Sequence, residues 1–181
     1  MEKPKNIDKI TFENILDVST STEIQNTIRN IRNQKSIRKQ MYTDHIISEE
    51  EHNKWLMHLA KTKEENAIFV IFYDGKTVGM VSLNNINRHQ RTADWAFYIS
   101  KKFSGKGIGS RVESQIIEFA FNEVGIEKLN CTVLETNPIV IRLHKKFGFK
   151  EEGILRKNVK KGKNRVDVYL LGMLKEEWSK K

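Results

Sequence analysis

A chain of 181 residues suits one globular domain, long enough to bury about two-thirds of the surface its unfolded form exposes. With 38% hydrophobic residues and only two prolines it is not a disordered chain, and no apolar run reaches the roughly 18 residues needed to cross a membrane. Thirty-two Lys and Arg against 23 Asp and Glu leave a formal charge of +9, which favours anionic partners such as nucleotides, nucleic acid or acidic surfaces, and which a merely solvated basic surface also produces. The single Cys131 excludes an internal disulfide framework, and residues 1–9 are charged and lack the apolar segment of a secretory signal, so a cytoplasmic location is the expectation.

No linker, repeat or low-complexity segment divides the chain, and one domain over 1–181 is expected. A short strand is predicted near 7–12, then a helix over about 22–34 with a further turn to Met41. Ser48 with Glu51 three residues later forms a capping-box signature, opening a helix whose apolar face is Trp55, Leu56 and Leu59. The centre changes character: 67–73 is strand-like, Asp74-Gly75 is a hairpin turn, 78–83 returns, and 92–100 makes a third strand. Ile108, Val112, Ile116, Phe119 and Ala120 then recur at helical spacing, with Gly125 as a stop. A strand at 129–134 precedes a helix with Asn137 as its cap, Pro138 in its first turn and Gly148 after it. Residues 149–159 and 166–174 read as a last hairpin around the basic turn at 160–164. Strands, helix, strand, helix and hairpin in that order indicate an α+β sheet with helices packed on it.

Between the third strand and the helix from Ile108 lies Phe103-Ser104-Gly105-Lys106-Gly107-Ile108-Gly109-Ser110. Glycines at alternate positions let the backbone turn tightly and expose its N–H groups, and the following helix adds the positive end of its dipole, which together make an anion cradle. A Walker loop would need Ser or Thr after its Lys, where Gly107 stands, and the dinucleotide fingerprint needs two residues before its last glycine, where there is one. Spacing excludes both; a surface turn without a ligand is the plainer alternative.

With this loop the chain resembles the GNAT superfamily of acetyl-CoA-dependent N-acyltransferases, whose pyrophosphate loop reads Gln or Arg, two residues, Gly, one residue, Gly or Ala. Gly107 and Gly109 match, and the first position falls on Ser104, which leaves binding more dependent on backbone donors. Asn137-Pro138 followed by Gly148-Phe149 matches a second family pattern, with His144 at the place of the usual Tyr. The resemblance covers 67–174 and implies a mixed central sheet with helices on both faces and acetyl-CoA as acyl donor. It also implies that Phe97, Tyr98 and Ile99 hold the pantetheine arm through main-chain bonds, that Ser104, Gly105, Lys106, Gly107, Ile108, Gly109 and Ser110 hold the pyrophosphate, and that Asn137 joins the cofactor set.

Acetyl transfer to an amine needs a neutral amine, a stabilised oxyanion and a protonated leaving sulfur, with no covalent enzyme intermediate. Asp94, opening the strand that enters the loop, stands where similar transferases carry the base; pairing with Arg91 or Arg88 is its plainer alternative. His144 takes the place of the Tyr that protonates the departing thiolate, and an imidazolium is acid enough to do so; a histidine that only packs on the cofactor is the competing reading. Cys131, on an apolar strand with no base near it in sequence, reads as a buried structural thiol.

In the first third, Arg29-Asn30, Ile37-Arg38, Met41-Tyr42, Ile46, Ser48 and His52 with Trp55 resemble the acceptor region of the N-acetyltransferases of pseudaminic acid biosynthesis. That resemblance implies transfer to the 4-amino group of a UDP-linked 4-amino-dideoxy sugar, with Met41, Tyr42 and Trp55 lining the sugar and nucleotide pocket, although Trp55 and Met41 are also ordinary core residues. Arg29, Arg38 or the basic hairpin would attract the diphosphate. The close alternatives are a polyamine or a protein N-terminus of ribosomal type. A domain binding nucleic acid through the hairpin is remote, since the aromatic residues that single strands stack on are missing there. A homodimer is left open.

Overall fold

Asp74 and Gly75 both take the left-handed backbone region, with φ of 53° and 73°, the geometry of the two-residue turn whose twist matches that of flanking strands. The turn joins β2 (Ala67–Tyr73) to β3 (Lys76–Asn87), longer at both ends than the predicted 78–83. β3 turns back onto β4 (Thr92–Ile99), also antiparallel. β1 (Ile10–Asn14) lies along the outer edge of β2, three residues later than expected. Asp8 at φ 49° folds Ile7 back onto Ile10, and the inward alternation starts only with Ile10 and Phe12, both fully buried.

In this computed structural model, which describes residues 2–178, seven strands form one sheet in the order β1-β2-β3-β4-β5-β7-β6. β5 (Lys128–Leu134) runs parallel to β4, while β7 (Asn164–Leu174) and the edge strand β6 (Lys150–Lys161) are antiparallel, so the sheet is mixed. The last hairpin closes at Gly162, φ 58°, and both its strands run past their predicted ends. The chain is therefore an α+β fold, as its sequence indicates.

Alternation along β2 separates two cores. Phe69 and Ile71 face the larger one with Val81, Leu83, Ala93, Trp95 and Leu129, closed by α4 (Ile108–Glu118) and α5 (Pro138–Phe147). Ile68 and Val70 face the smaller one with Ile15, Ile28 and Leu59, closed by α1 (Thr22–Arg32) and α3 (Glu49–Lys61). Both signals for α3 operate: the Ser48 hydroxyl accepts from the Glu51 N–H at 3.1 Å, and Glu51 reaches back to the Ser48 N–H at 2.8 Å. A single turn, α2 (Lys35–Arg38), follows α1, and another, α6 (Lys175–Trp178), follows β7. α4 passes into a π-helical turn at Phe119–Glu123 that buries Phe119, Ala120 and Phe121, and the helix stops at Gly125 as predicted. No described helix is long and apolar enough to cross a membrane.

α1 and α3 are tied by a buried bond between His52 Nε2 and Gln25 Oε1 at 2.9 Å. Burial holds the His52 imidazole below its ordinary range, and the Arg29 charge adds to this. A base whose folded pKa is depressed contributes stability that is present above its unfolded value of about 6.5 and lost as pH falls below it. The urea midpoint is expected to fall between about pH 7.5 and about pH 5, and to fall less in His52→Gln. Equal slopes in the two proteins would remove His52 from the explanation.

Candidate active site

β4 and β5 start side by side and then part. Thr92 pairs with Lys128, Ala93 with Leu129 and Asp94 with Asn130; beyond that point β4 keeps β3 as far as Ile99, and β5 keeps β7 as far as Leu134. A V-shaped slot opens in the middle of the sheet, with Asp94 at its apex and the backbone of residues 95–99 along one wall. The stretch 97–99, to which the resemblance assigns the pantetheine arm, is part of that wall.

At the wide end of the V, β4 runs into the glycine loop. A short turn at Lys101–Phe103 leads to Ser104 in extended backbone, then Gly105 and Gly107 take left-handed conformations, φ 79° and 71°. A Cβ built on either would meet nothing within 4 Å, so these glycines serve backbone shape and access. Gly107 caps α4, and the first intrahelical bond from its carbonyl goes to Arg111, leaving the N–H groups of Ile108, Gly109 and Ser110 at the open end of the helix. Gly109 is helical and lies against Phe97 and Leu143. The Lys106 ammonium folds over the Tyr73 and Phe103 rings, 5.9 and 5.3 Å from their centroids. Arg111, which the sequence reading missed, braces the loop by donating to the Lys106 carbonyl at 3.1 Å while pairing with Asp8 at 3.1 Å.

Asp94 pairs with neither arginine expected of it: Arg91 is bound to Glu127, and Arg88 faces Glu64 at 3.8 Å. Its partner is Asn85, whose side-chain amide donates to Asp94 Oδ2 at 2.8 Å. Asn85 sits in a bulge of β3 with φ 51°, and the irregularity turns its side chain toward the apex.

His144 is buried at 3% exposure, with Nδ1 2.8 Å from Oε1 of the fully buried Glu113 on α4. Its ring lies 4.9 Å from Trp95 and 5.5 Å from Phe149. Glu113 was not foreseen, because on α4 it reads as one more polar helix position. Burial pushes the Cys131 thiol far up, Glu113 and Asp94 add to that, and the Trp95 N–H opposes it, so this cysteine is an inert core thiol. Asn137 stands at the cap position of α5, but its side chain makes no cap bond; its carbonyl instead accepts from Val140 and Ile141, both at 3.2 Å. Pro138 at the first helical position has no N–H to satisfy, which lowers the need for a side-chain cap.

The acceptor-side residues divide. Residues 34–40 form a strap across the mouth of the V. Gln34 bonds Ser100 Oγ at 3.0 Å and accepts from the Lys101 N–H at 3.3 Å, at the end of β4. Gln40 exchanges bonds with Thr136 at 3.3 and 3.0 Å, at the end of β5. Arg38 belongs to this strap and donates to the carbonyls of Asn33 and Asp44. Met41 follows it, its carbonyl bound by Lys161, and Tyr42 is 48% exposed. Trp55 and Arg29 each have partners of their own. Trp55 packs on the smaller core, its alternative reading as an ordinary core residue, 5.4 Å from the His52 ring, because α3 turns its apolar face to the sheet. Arg29 is committed to Asn26 at 3.0 Å and faces Glu49 at 3.9 Å. The basic hairpin is partly spent inside the fold as well, with Lys161 held against the strap and Arg165 donating to the Lys157 carbonyl at 2.7 Å.

The family model for the acetyltransferase (GNAT) family matches residues 32–149, which include the strap, the V, the loop and α5. The chain belongs to that family. It is 31% identical over 108 residues to the putative ribosomal N-acetyltransferase YdaF of Bacillus subtilis, covering 60% of this chain and 59% of that protein. With the spermidine N(1)-acetyltransferase of Escherichia coli K12 it shares 33% identity over 87 residues, 48% of this chain and 47% of that one. The chain thus spans about half to three-fifths of the length of these curated relatives. Among solved structures, spermidine N-acetyltransferase from Vibrio cholerae, in complex with CoA and spermine, superposes with a TM-score of 0.85 at 20% identity, covering 94% of this chain and 98% of that one. Mycobacterium smegmatis RimJ, in complex with CoA-disulfide, gives 0.78 at 18% identity over 93% and 83%. At these identities the structural likeness concerns the fold.

Proposed function

We propose that this GNAT-family protein transfers the acetyl group of acetyl-CoA to a primary amine of a small molecule by direct attack on the thioester. The observation that carries the reading is the parting of β4 and β5 at Asp94 above the glycine loop. The parted wall offers unpaired main-chain groups to an extended amide-bearing arm, and the loop offers amide N–H groups and a helix dipole to a diphosphate. The residues present therefore fit CoA: the wall at Phe97, Tyr98 and Ile99, the cradle from Ser104 to Ser110 and the carboxamide of Asn137. When bound, acetyl-CoA supplies an activated carbonyl and a sulfur leaving group.

Asp94 is assigned the role of base, directly or through one water, with Asn85 holding its carboxylate at the apex. His144 is assigned the proton delivered to the leaving sulfur. Its Nδ1 is engaged by Glu113, so Nε2 is the nitrogen left for delivery, and the Trp95 and Phe149 rings keep the imidazole in place.

The resemblance of the first third supports a UDP-linked 4-amino sugar as acceptor, and Arg38, Met41 and Tyr42 lie on or beside the strap. The names of the relatives support spermidine or a ribosomal protein instead. Free-thiol release from acetyl-CoA, measured across UDP-4-amino sugars, spermidine and peptides with free N-termini, decides among them. Turnover confined to peptides would overturn the small-molecule assignment, and absence of release with all three would exclude these three acceptor classes.

The loop carries its own prediction. Gly107→Ala leaves open space around the new methyl but holds it in the left-handed region, at a cost of about 1–2 kcal/mol. The methyl would stand where the diphosphate approaches, so KM for acetyl-CoA is expected to rise about tenfold with acceptor KM unchanged. An unchanged acetyl-CoA KM would place the diphosphate elsewhere.

A further inference from the structure

Arg32, the last residue of α1, is a half-buried cation near the strap with a donor left over. Its Nη2 donates to the Thr43 carbonyl and hydroxyl at 3.2 and 3.4 Å, whereas Nη1 is buried with no hydrogen-bond partner among the described residues. An unsatisfied buried guanidinium N–H is costly, because hydrogen bonds to charged groups are among the strongest a folded chain makes. Among the described residues no partner relieves it. The groups that act on it electrostatically are Tyr98, on the wall of the V, and Arg38, a second cation on the strap. Asp44, the carboxylate of the same loop, is turned to Lys161 at 3.9 Å. The positive charge of Arg38 thus acts on Arg32 from a strap pinned to the ends of β4 and β5.

We infer that Arg32, with the positive charge of Arg38 acting on it, receives an oxyanion of the acceptor, a carboxylate or a phosphate carried on the same small molecule as the reacting amine. This rests on the acetyl-transfer reading and narrows it. A guanidinium fork matches the planar carboxylate or the phosphate edge, and the local positive charge repels the second ammonium of a polyamine. The acceptor side of this protein therefore selects an amine by the anion attached to it, in contrast with the spermidine enzymes that share its fold.

The test compares four amines of equal chain length with the wild-type protein: an aminoalkyl phosphate, the corresponding amino acid, the plain alkylamine and the diamine. The phosphate and the amino acid are expected to exceed the alkylamine in kcat/KM by about ten- to a hundredfold, with the diamine last. The order of the first two tells which oxyanion fits. Arg32→Gln should erase that lead and leave acetyl-CoA KM unchanged, and Arg32→Lys, which keeps the charge and loses the fork, should retain part of it. A leading diamine overturns the inference, as does an Arg32→Gln variant whose acetyl-CoA KM rises while acceptor KM stays, since the guanidinium would then serve the donor. Failure to turn over any of the four while CoA still binds counts against the transfer reading itself. Titration of the CoA-saturated protein with inorganic phosphate then decides the site: binding at least tenfold weaker in Arg32→Gln supports it, and equal binding overturns it.

Discussion

Replacing Glu113 by Leu, or His144 by Phe, is expected to destabilise the fold by about 3–5 kcal/mol each, while the double replacement costs less than either single one. The two side chains meet at 2.8 Å with 0% and 4% of their surfaces exposed, so each is the other's compensation for leaving water. Taking away His144 leaves a carboxylate in the larger core without the imidazole; taking away Glu113 leaves Nδ1 facing a methyl group. Removing both puts Leu and Phe among Trp95, Phe97 and Phe149, a surrounding that suits them. Urea unfolding of the four proteins gives the coupling directly. Simple additivity of the single changes would show that the pair does not act as a unit. His144→Tyr, which introduces the residue usual in the resembling family, tests the chemical role apart from the structural one. If His144 serves only packing, Phe and Tyr should give the same kcat once corrected for the folded fraction.

Asp94→Asn is expected to lower kcat about a hundred- to a thousandfold with acetyl-CoA KM unchanged, because positioned base catalysis is worth that much and the amide still fits against Asn85. The loss should shrink at higher pH, where the amine sheds its own proton and needs the carboxylate less. Asn85→Ala should have a smaller effect of the same kind, since it removes the bond that aims Asp94 and not the carboxylate. A kcat in Asp94→Asn equal to wild type would leave the apex with no chemical part in the reaction.

What was legible in the sequence was mostly local. Asp74-Gly75, the Ser48–Glu51 box and the stops at Gly125 and Gly148 each depend on a few adjacent residues, and the structure has them where the sequence places them. The glycine loop was legible for the same reason. Features that depend on which strands pair were not. The V follows from β4 and β5 keeping different outer partners, and nothing in either strand's own residues states where they part. Glu113 is indistinguishable from a surface residue of α4 until α5 brings His144 opposite it. Arg32 reads as a cation in the last turn of a helix, and nothing beside it in sequence states that its Nη1 is left buried without a partner among the described residues. For Trp55 the resemblance implies a ligand pocket while an aromatic residue on a short helix also reads as core, and in the structure it packs on the smaller core. The π turn at Phe119–Glu123, which buries Phe119 and Phe121, is likewise invisible in a helical apolar pattern.

The most direct test of the central claim, that the parted strands and the loop at their end form the acetyl-donor site, is a structure of the protein with CoA bound. The pantetheine arm is expected in the V along residues 95–99, with the diphosphate on the N–H groups from Gly105 to Ser110 and the sulfur between Asp94 and His144. CoA bound outside the V, or in it with the sulfur turned away from Asp94, would contradict the account.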